Sequence, residues 1–175
     1  MIKKFALALL ALLLIIAGLA ATKPDTFAVQ RSVTIAAPPE RIMGLVCDFR
    51  NWRSWSPWEE LDPAMERSFA GAPIGVGAVY SRKGNADVGA GRMEIVEVAM
   101  PTKAVIKLAF LSPIESNNMT TFSLVPEGAN TRVLWETSGP MHYITKVMNV
   151  FVSMDKMIGP DFERGLARLK AAAEK

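Results

Sequence analysis

The chain has 175 residues, half of them hydrophobic, a formal charge of +3 and one cysteine. Lys3, Lys4 and Lys23, three of its 20 basic residues, and Asp25, one of its 17 acidic ones, precede the main domain, which is left near neutral at +1. That balance excludes the concentrated basic footprint of a nucleic-acid binder, and the lone Cys47 excludes an internal disulfide.

Met1-Ile-Lys-Lys is a short basic start, and Phe5 to Ala21 is a run of 17 uncharged, mostly apolar residues. A signal peptide has this form, with small Gly18 and Ala20 at the two cleavage-defining positions. A transmembrane anchor also has it, at the short end of the spanning range. The length of the run favours an uncleaved anchor through residues 5–21. In either case the lysines stay inside, which puts the domain on the exported, periplasmic or extracytoplasmic, side. Residues 1–25 thus read as anchor or signal plus linker, and 26–175 as one domain. A domain of about 150 residues buries roughly 68–70% of its unfolded surface, enough to spare room for a cavity.

Phe27 to Ile35 alternates and predicts a strand. Pro38-Pro39-Glu40 predicts a helix start, since proline suits the first helical turn. That helix carries Ile42, Met43, Leu45 and Val46 and ends near Asp48-Phe49, with Cys47 on its apolar side as a buried thiol. Three of the four tryptophans follow in Asn51-Trp-Arg-Ser-Trp-Ser-Pro-Trp58. They either plug one end of the core or line a pocket mouth, where an indole offers apolar surface and one donor. From Met65 the chain predicts six strands: 65–69, 76–83, 89–100, 103–111, 115–125 and 131–138, separated by turn signals such as Gly71-Ala-Pro73, Gly84-Asn85, Pro101, Pro113, Gly128 and Gly139-Pro140. Tyr143 to Ala173 reads as one long helix, with a possible break at Gly159-Pro160. Ile144, Val147, Met148, Phe151, Met154 and Ile158 form its apolar stripe, continued by Phe162, Leu166 and Leu169. Asp155 falls in the middle of that stripe. The order is strand, two short helices, six strands, long helix. This predicts an α+β fold in which a curved antiparallel sheet of about seven strands wraps the closing helix.

The chemistry-bearing residues are sparse. His142 has no partner spacing for a triad or a metal site, and reads as a surface or capping residue. The glycine clusters lack the strand–loop–helix context of a phosphate cradle. Glu59 and Glu60 are adjacent, so a helical turn would send them in different directions. Asp155 is either a structural acid held by an indole or an arginine, or a polar anchor for a ligand headgroup, or a general acid. No catalytic residue, metal ligand or cofactor site is assigned. The inward-pointing set is Tyr80, Met93, Phe110, Phe122, Trp135, Met148 and Phe151. With Trp55, Trp58, Phe69 and Asp155 it forms the candidate ligand-binding set.

The layout resembles the START-like, helix-grip superfamily (SRPBCC), above all its bacterial members labelled polyketide cyclase/dehydrase or lipid transport proteins. The resemblance is carried by Ile35-Ala-Ala-Pro38 with Glu40, Asp48 with Trp52, Trp55-Ser-Pro-Trp58 and Asp62-Pro63. It continues through Phe69-Ala-Gly71, Gly75-Val-Gly77, Gly89-Ala-Gly91 with Met93, Trp135, and Met154-Asp-Lys-Met-Ile-Gly159 with Phe162-Glu163 and Gly165-Leu166. It spans residues 27–173. Arg82 departs from the pattern, which has an aromatic two residues after Tyr80. The resemblance implies a cavity between sheet and helix that binds hydrophobic small molecules. It implies no activity, because a fold does not fix a function. Three readings stand: a membrane-tethered binder of a hydrophobic small molecule or lipid, a cofactor-independent cyclase or dehydratase with Asp155 or Tyr80 as proton donor, and an interaction module with a filled core. The absence of a second well-placed acid or base favours binding.

Overall fold

The computed structural model describes residues 1–112 and 115–175; the turn expected at Pro113 lies outside the described residues. After helix α1 (Ile2–Ala21) come β1 (Thr26–Ile35), α2 (Pro39–Cys47) and two 3-10 turns, Phe49–Ser54 and Pro57–Glu59. Six strands follow: β2 (Glu66–Gly71), β3 (Ala78–Lys83), β4 (Ala90–Ala99), β5 (Lys103–Ser112), β6 (Ser116–Glu127) and β7 (Asn130–Pro140). The chain closes with α3 (Tyr143–Phe151) and α4 (Met154–Ala173). The seven strands form one antiparallel sheet in the order β1-β7-β6-β5-β4-β3-β2. Register shifts at Ala90/Gly91 and Ile95/Glu97 interrupt the β4–β5 ladder. Such irregularities bend a strand and increase its twist, which helps this sheet curl around α4. The expected α+β helix-grip architecture, with its curved sheet and two short elements after the first strand, is the observed one.

The segment after β1 is held by its own tryptophans. The last four carbonyls of a helix have no partner inside it. In α2 each finds one elsewhere. Asn51 Nδ2 donates to Gly44 O (3.2 Å), Trp55 Nε1 to Leu45 O (3.1 Å), Trp52 Nε1 to Val46 O (2.9 Å), and the Gly75 amide to Cys47 O (3.0 Å). The indoles are therefore core and cap at once. Trp52 and Trp55 are buried and 4.7 Å apart between ring centroids. Cys47 is buried beside them, and burial pushes its thiol pKa up to about 11, which leaves it unreactive.

The C-terminal end corrects the expectation of one long helix. The break falls at Val152-Ser153, where Val152 is extended and the Ser153 side chain caps α4 by accepting from the Lys156 amide (3.3 Å). Gly159-Pro160 lies inside α4 instead. Proline there forfeits one ladder bond. Gly159 lies against Arg31, where a Cβ would sit 2.2 Å from Nη2. Gly165 lies against Trp135, where a Cβ would stand 2.7 Å from Cζ3. Phe162 stacks flat on Trp135 (4.4 Å, 8°), and Leu166 and Leu169 complete the buried face. The break also splits the apolar stripe. α4 grips the sheet, whereas α3 buries no residue fully and packs on α1. Ile144 and Phe151 are left exposed.

Candidate functional site

A cavity of about 390 Å³ lies between the sheet and the C-terminal helices. That is within the usual range for a small-molecule site, roughly 300–1,000 Å³. Strand alternation brings Met93 from β4, Leu108 and Phe110 from β5 and Trp135 from β7 onto its wall. Trp58 enters from the second 3-10 turn, and Met148, Met154 and Ile158 come from the two closing helices. Most of the wall's buried polar groups satisfy one another: Thr120 and Thr137 share a hydrogen bond (2.8 Å), and Ser116 Oγ donates to Asn118 Oδ1 (2.9 Å). Gly139 sits against Asn118, where a Cβ would be 1.9 Å from Oδ1, so the Asn118 position depends on that glycine.

Five of the eleven residues singled out in the sequence line this cavity: Trp58, Met93, Phe110, Trp135 and Met148. Trp55 and Phe122 are fully buried behind it, edge-on to each other at 5.9 Å, with Phe122 stacked on Trp135 at 5.0 Å. Phe69 and Tyr80 stack at 5.1 Å around a separate recess shared with Arg50, Arg53, Glu59 and Arg67. Phe151 points away from the cavity and is 68% exposed.

Asp155 also lies outside the cavity, because the break before α4 resets the helical phase. Arg31 of β1 grips it with two bonds, Nη1 to Oδ1 (2.7 Å) and Nη2 to Oδ2 (3.1 Å), while Arg31 Nε donates to Glu163 (2.7 Å). The hydrogen bond from Arg31 holds the Asp155 carboxyl below its usual 3.8. Asp155 thus contributes stability that is present above pH 3.8 and is lost only as pH falls through its lower folded value. The difference in melting midpoint between wild type and Asp155→Asn is expected to stay constant from pH 7 to about 4.5 and to shrink only in stronger acid. A difference that disappears near pH 6 would rule out this clip.

A second polar knot fixes the Trp58 segment. Glu59 is buried and accepts from Tyr80 Oη (2.5 Å) and Arg67 Nε (2.7 Å). Its neighbour Glu60 turns the other way and pairs with Arg168 of α4. Burial, helped by the bond to Glu59, raises the Tyr80 phenol well above its ordinary 10, so the hydroxyl stays protonated.

Sequence reasoning left several wall residues unassigned, with signals of differing strength. Leu108 shares its strand face with Phe110, and Met154 and Ile158 lie on the helix stripe. Arg82 is the strongest omission. Ala78, Tyr80 and Arg82 alternate as the buried face of β3, so an arginine stands on the dry side of the sheet. It reaches the cavity with its guanidinium 5.7 Å from the Trp58 ring.

Seven antiparallel strands around a C-terminal helix, with an apolar cavity between them, define a helix-grip ligand-binding class of domain. The chain belongs to the polyketide cyclase / dehydrase and lipid transport family, whose model matches residues 26–174. Solved structures of the same fold include protein CV1439 from Chromobacterium violaceum, 17% identical, with 87% of this chain and 99% of that one covered at a TM-score of 0.60. Another is a protein from Nitrosospira multiformis, 21% identical, with 84% and 96% covered at 0.58. A third is the di-domain ARO/CYC StfQ from the steffimycin biosynthetic pathway, 12% identical, with 86% and 51% covered at 0.63. At these identities the likeness is one of fold. A search of curated proteins gives no match.

Proposed function

We propose that this protein binds a hydrophobic small molecule or lipid in the cavity under α4 without transforming it, and does so while tethered to a membrane. The observation that carries this reading is the cavity itself, about 390 Å³ with mostly apolar walls. Such a space costs packing energy unless a ligand fills it. A filled interaction module would have no reason to keep it. The two groups best suited to proton transfer are committed elsewhere: the Tyr80 hydroxyl to Glu59, and Asp155 to Arg31 outside the cavity. That weighs against the cyclase or dehydratase reading.

The tether is supported by α1, 20 residues with a mean hydropathy of 2.5 in its most apolar window. Its position relative to the cavity adds to the argument. α1 packs on α3 through the Tyr143 hydroxyl, which donates to Ala17 O (3.1 Å), and its end is pinned by the Lys146–Asp25 ion pair (2.5 Å). α3 in turn contributes Thr145 and Met148 to the cavity wall. A ligand leaving the bilayer beside α1 would meet the cavity within one helix. The lysines ahead of the run support a domain on the exported side, by the positive-inside bias.

The test is to purify the full chain in mild detergent, extract it with organic solvent and identify what comes off by mass spectrometry. Leu108→Trp, which adds an indole to the cavity wall, is the control for lipid carried by α1 alone. The expected result is one lipid-class compound near one equivalent in wild type and absent from Leu108→Trp. Equal, mixed lipid in both would end the carrier reading.

A further inference from the structure

The walls hold two donors with no acceptor. Arg82 is 8% exposed, and its guanidinium makes no hydrogen bond or ion pair among the described residues. Burying a charge unpaired is costly, so such a group ordinarily finds a counter-charge. The carboxylate whose charge acts on it is Glu59, which Tyr80 and Arg67 already occupy. The second donor is the indole nitrogen of Trp135, which has no partner but is sealed off from the cavity surface. Trp58 joins the two. Arg82 lies over its ring at 5.7 Å, and its ring meets that of Trp135 edge-on at 5.8 Å. An arginine stacked on an indole is held in orientation while its N–H edge stays free. The remaining carboxylates of the wall are spoken for or peripheral: Asp161 pairs with Arg164, and Asp87 is exposed.

A cation that lacks an acceptor on the wall of an apolar space asks for a ligand that brings a negative acceptor and an apolar body. From this we infer that the cavity ligand is an anionic amphiphile whose carboxylate or phosphate head is received by Arg82. This rests on the proposed binding function and narrows its substrate class. It also gives a reason for Arg82 as a departure from the pattern: where an aromatic would extend the greasy wall, Arg82 makes part of it a receptor.

The experiment uses the full chain in amphipol and three brominated probes of equal chain length: 11-bromoundecanoate, 11-bromoundecyl phosphate and 11-bromoundecanol. Bromine quenches tryptophan only at contact, and Trp58 and Trp135 line the cavity. A charge-assisted hydrogen bond is worth about 1.5–3 kcal/mol. Wild type should therefore prefer at least one anionic probe over the alcohol by about 10–100-fold. The carboxylate and phosphate arms tell a fatty-acid-like head from a phospholipid-like one. In Arg82→Gln the preference should vanish while the alcohol still binds. Arg82→Lys should retain part of it and covers the case in which Arg82→Gln fails to fold. Equal affinity for all three probes in wild type, or a preference that survives Arg82→Gln, overturns this inference and leaves apolar binding standing. Failure of every probe to quench overturns both.

Discussion

Trp55→Ala is expected to lower the stability of the protein by about 3–5 kcal/mol, the usual cost of removing a buried indole. Trp55 is fully buried and touches Trp52, Phe122 and Trp135 within 6 Å between ring centroids. Its loss would leave a hole directly behind the cavity wall, where α4 presses Phe162 onto Trp135. Two separate effects are involved, and a second variant divides them. Trp55→Phe keeps most of the ring but leaves the Leu45 carbonyl at the end of α2 without its donor. An orphaned buried acceptor costs about 1–3 kcal/mol, and this one is part-buried. For a domain of this size each kcal/mol moves the midpoint by roughly 2–4 °C, so the alanine variant should melt about 6–20 °C below wild type and the phenylalanine variant about 2–12 °C below. Melting of the full chain followed by circular dichroism checks both. A phenylalanine variant as stable as wild type would mean that the indole acts by volume alone.

The fold was legible because its signals are local and repeated. Period-2 alternation marked β1, glycine and proline turn signals marked the six strands from Met65 on, and Pro38-Pro39 marked the start of α2. The C-terminal break was misplaced for a physical reason. Gly159-Pro160 is the stronger punctuation in sequence, but proline stops a helix only where nothing else holds it, and here the Arg31–Asp155 pair before it and Phe162, Leu166 and Leu169 after it hold the helix to the sheet. The true signal was Ser153, a capping residue before Met154-Asp155-Lys156. Misplacing the break put Asp155 in the apolar stripe, when it sits outside in the grip of Arg31.

The wall was only partly legible, since alternation tells which face a residue takes but not how deep it lies. Phe122 and Met93 face the same side of the sheet; one is packed solid and the other borders space. Phe122 is covered by Trp52, Trp55 and Trp135, residues that come from elsewhere in the chain, whereas Met93 faces the cavity. Arg82 shows the opposite case. A charge on the buried face of β3 is visible in the alternation alone, once Ala78 and Tyr80 fix the phase.

Glu59→Gln is expected to cost about 3–5 kcal/mol, the penalty for breaking a buried ion pair by removing one partner. The glutamine fits the same space, so the loss would belong to charge and not to shape. Arg67, with a side chain 16% exposed, would keep its charge and lose its counter-charge, and Tyr80 would donate to a weaker acceptor. The double variant Glu59→Leu with Arg67→Met removes both charges and should recover a large part of the loss, as replaced buried pairs often do. The two measurements separate stability from positioning. The knot links the turn that carries Trp58 to β2 and β3, and Trp58 is what holds Arg82 in the cavity wall. If the double variant regains stability but loses the anion preference expected of Arg82, the buried charges serve to place the Trp58 indole. If it regains both, the apolar packing of Phe49, Phe69 and Tyr80 is enough to place it, and the ion pair adds only its own energy.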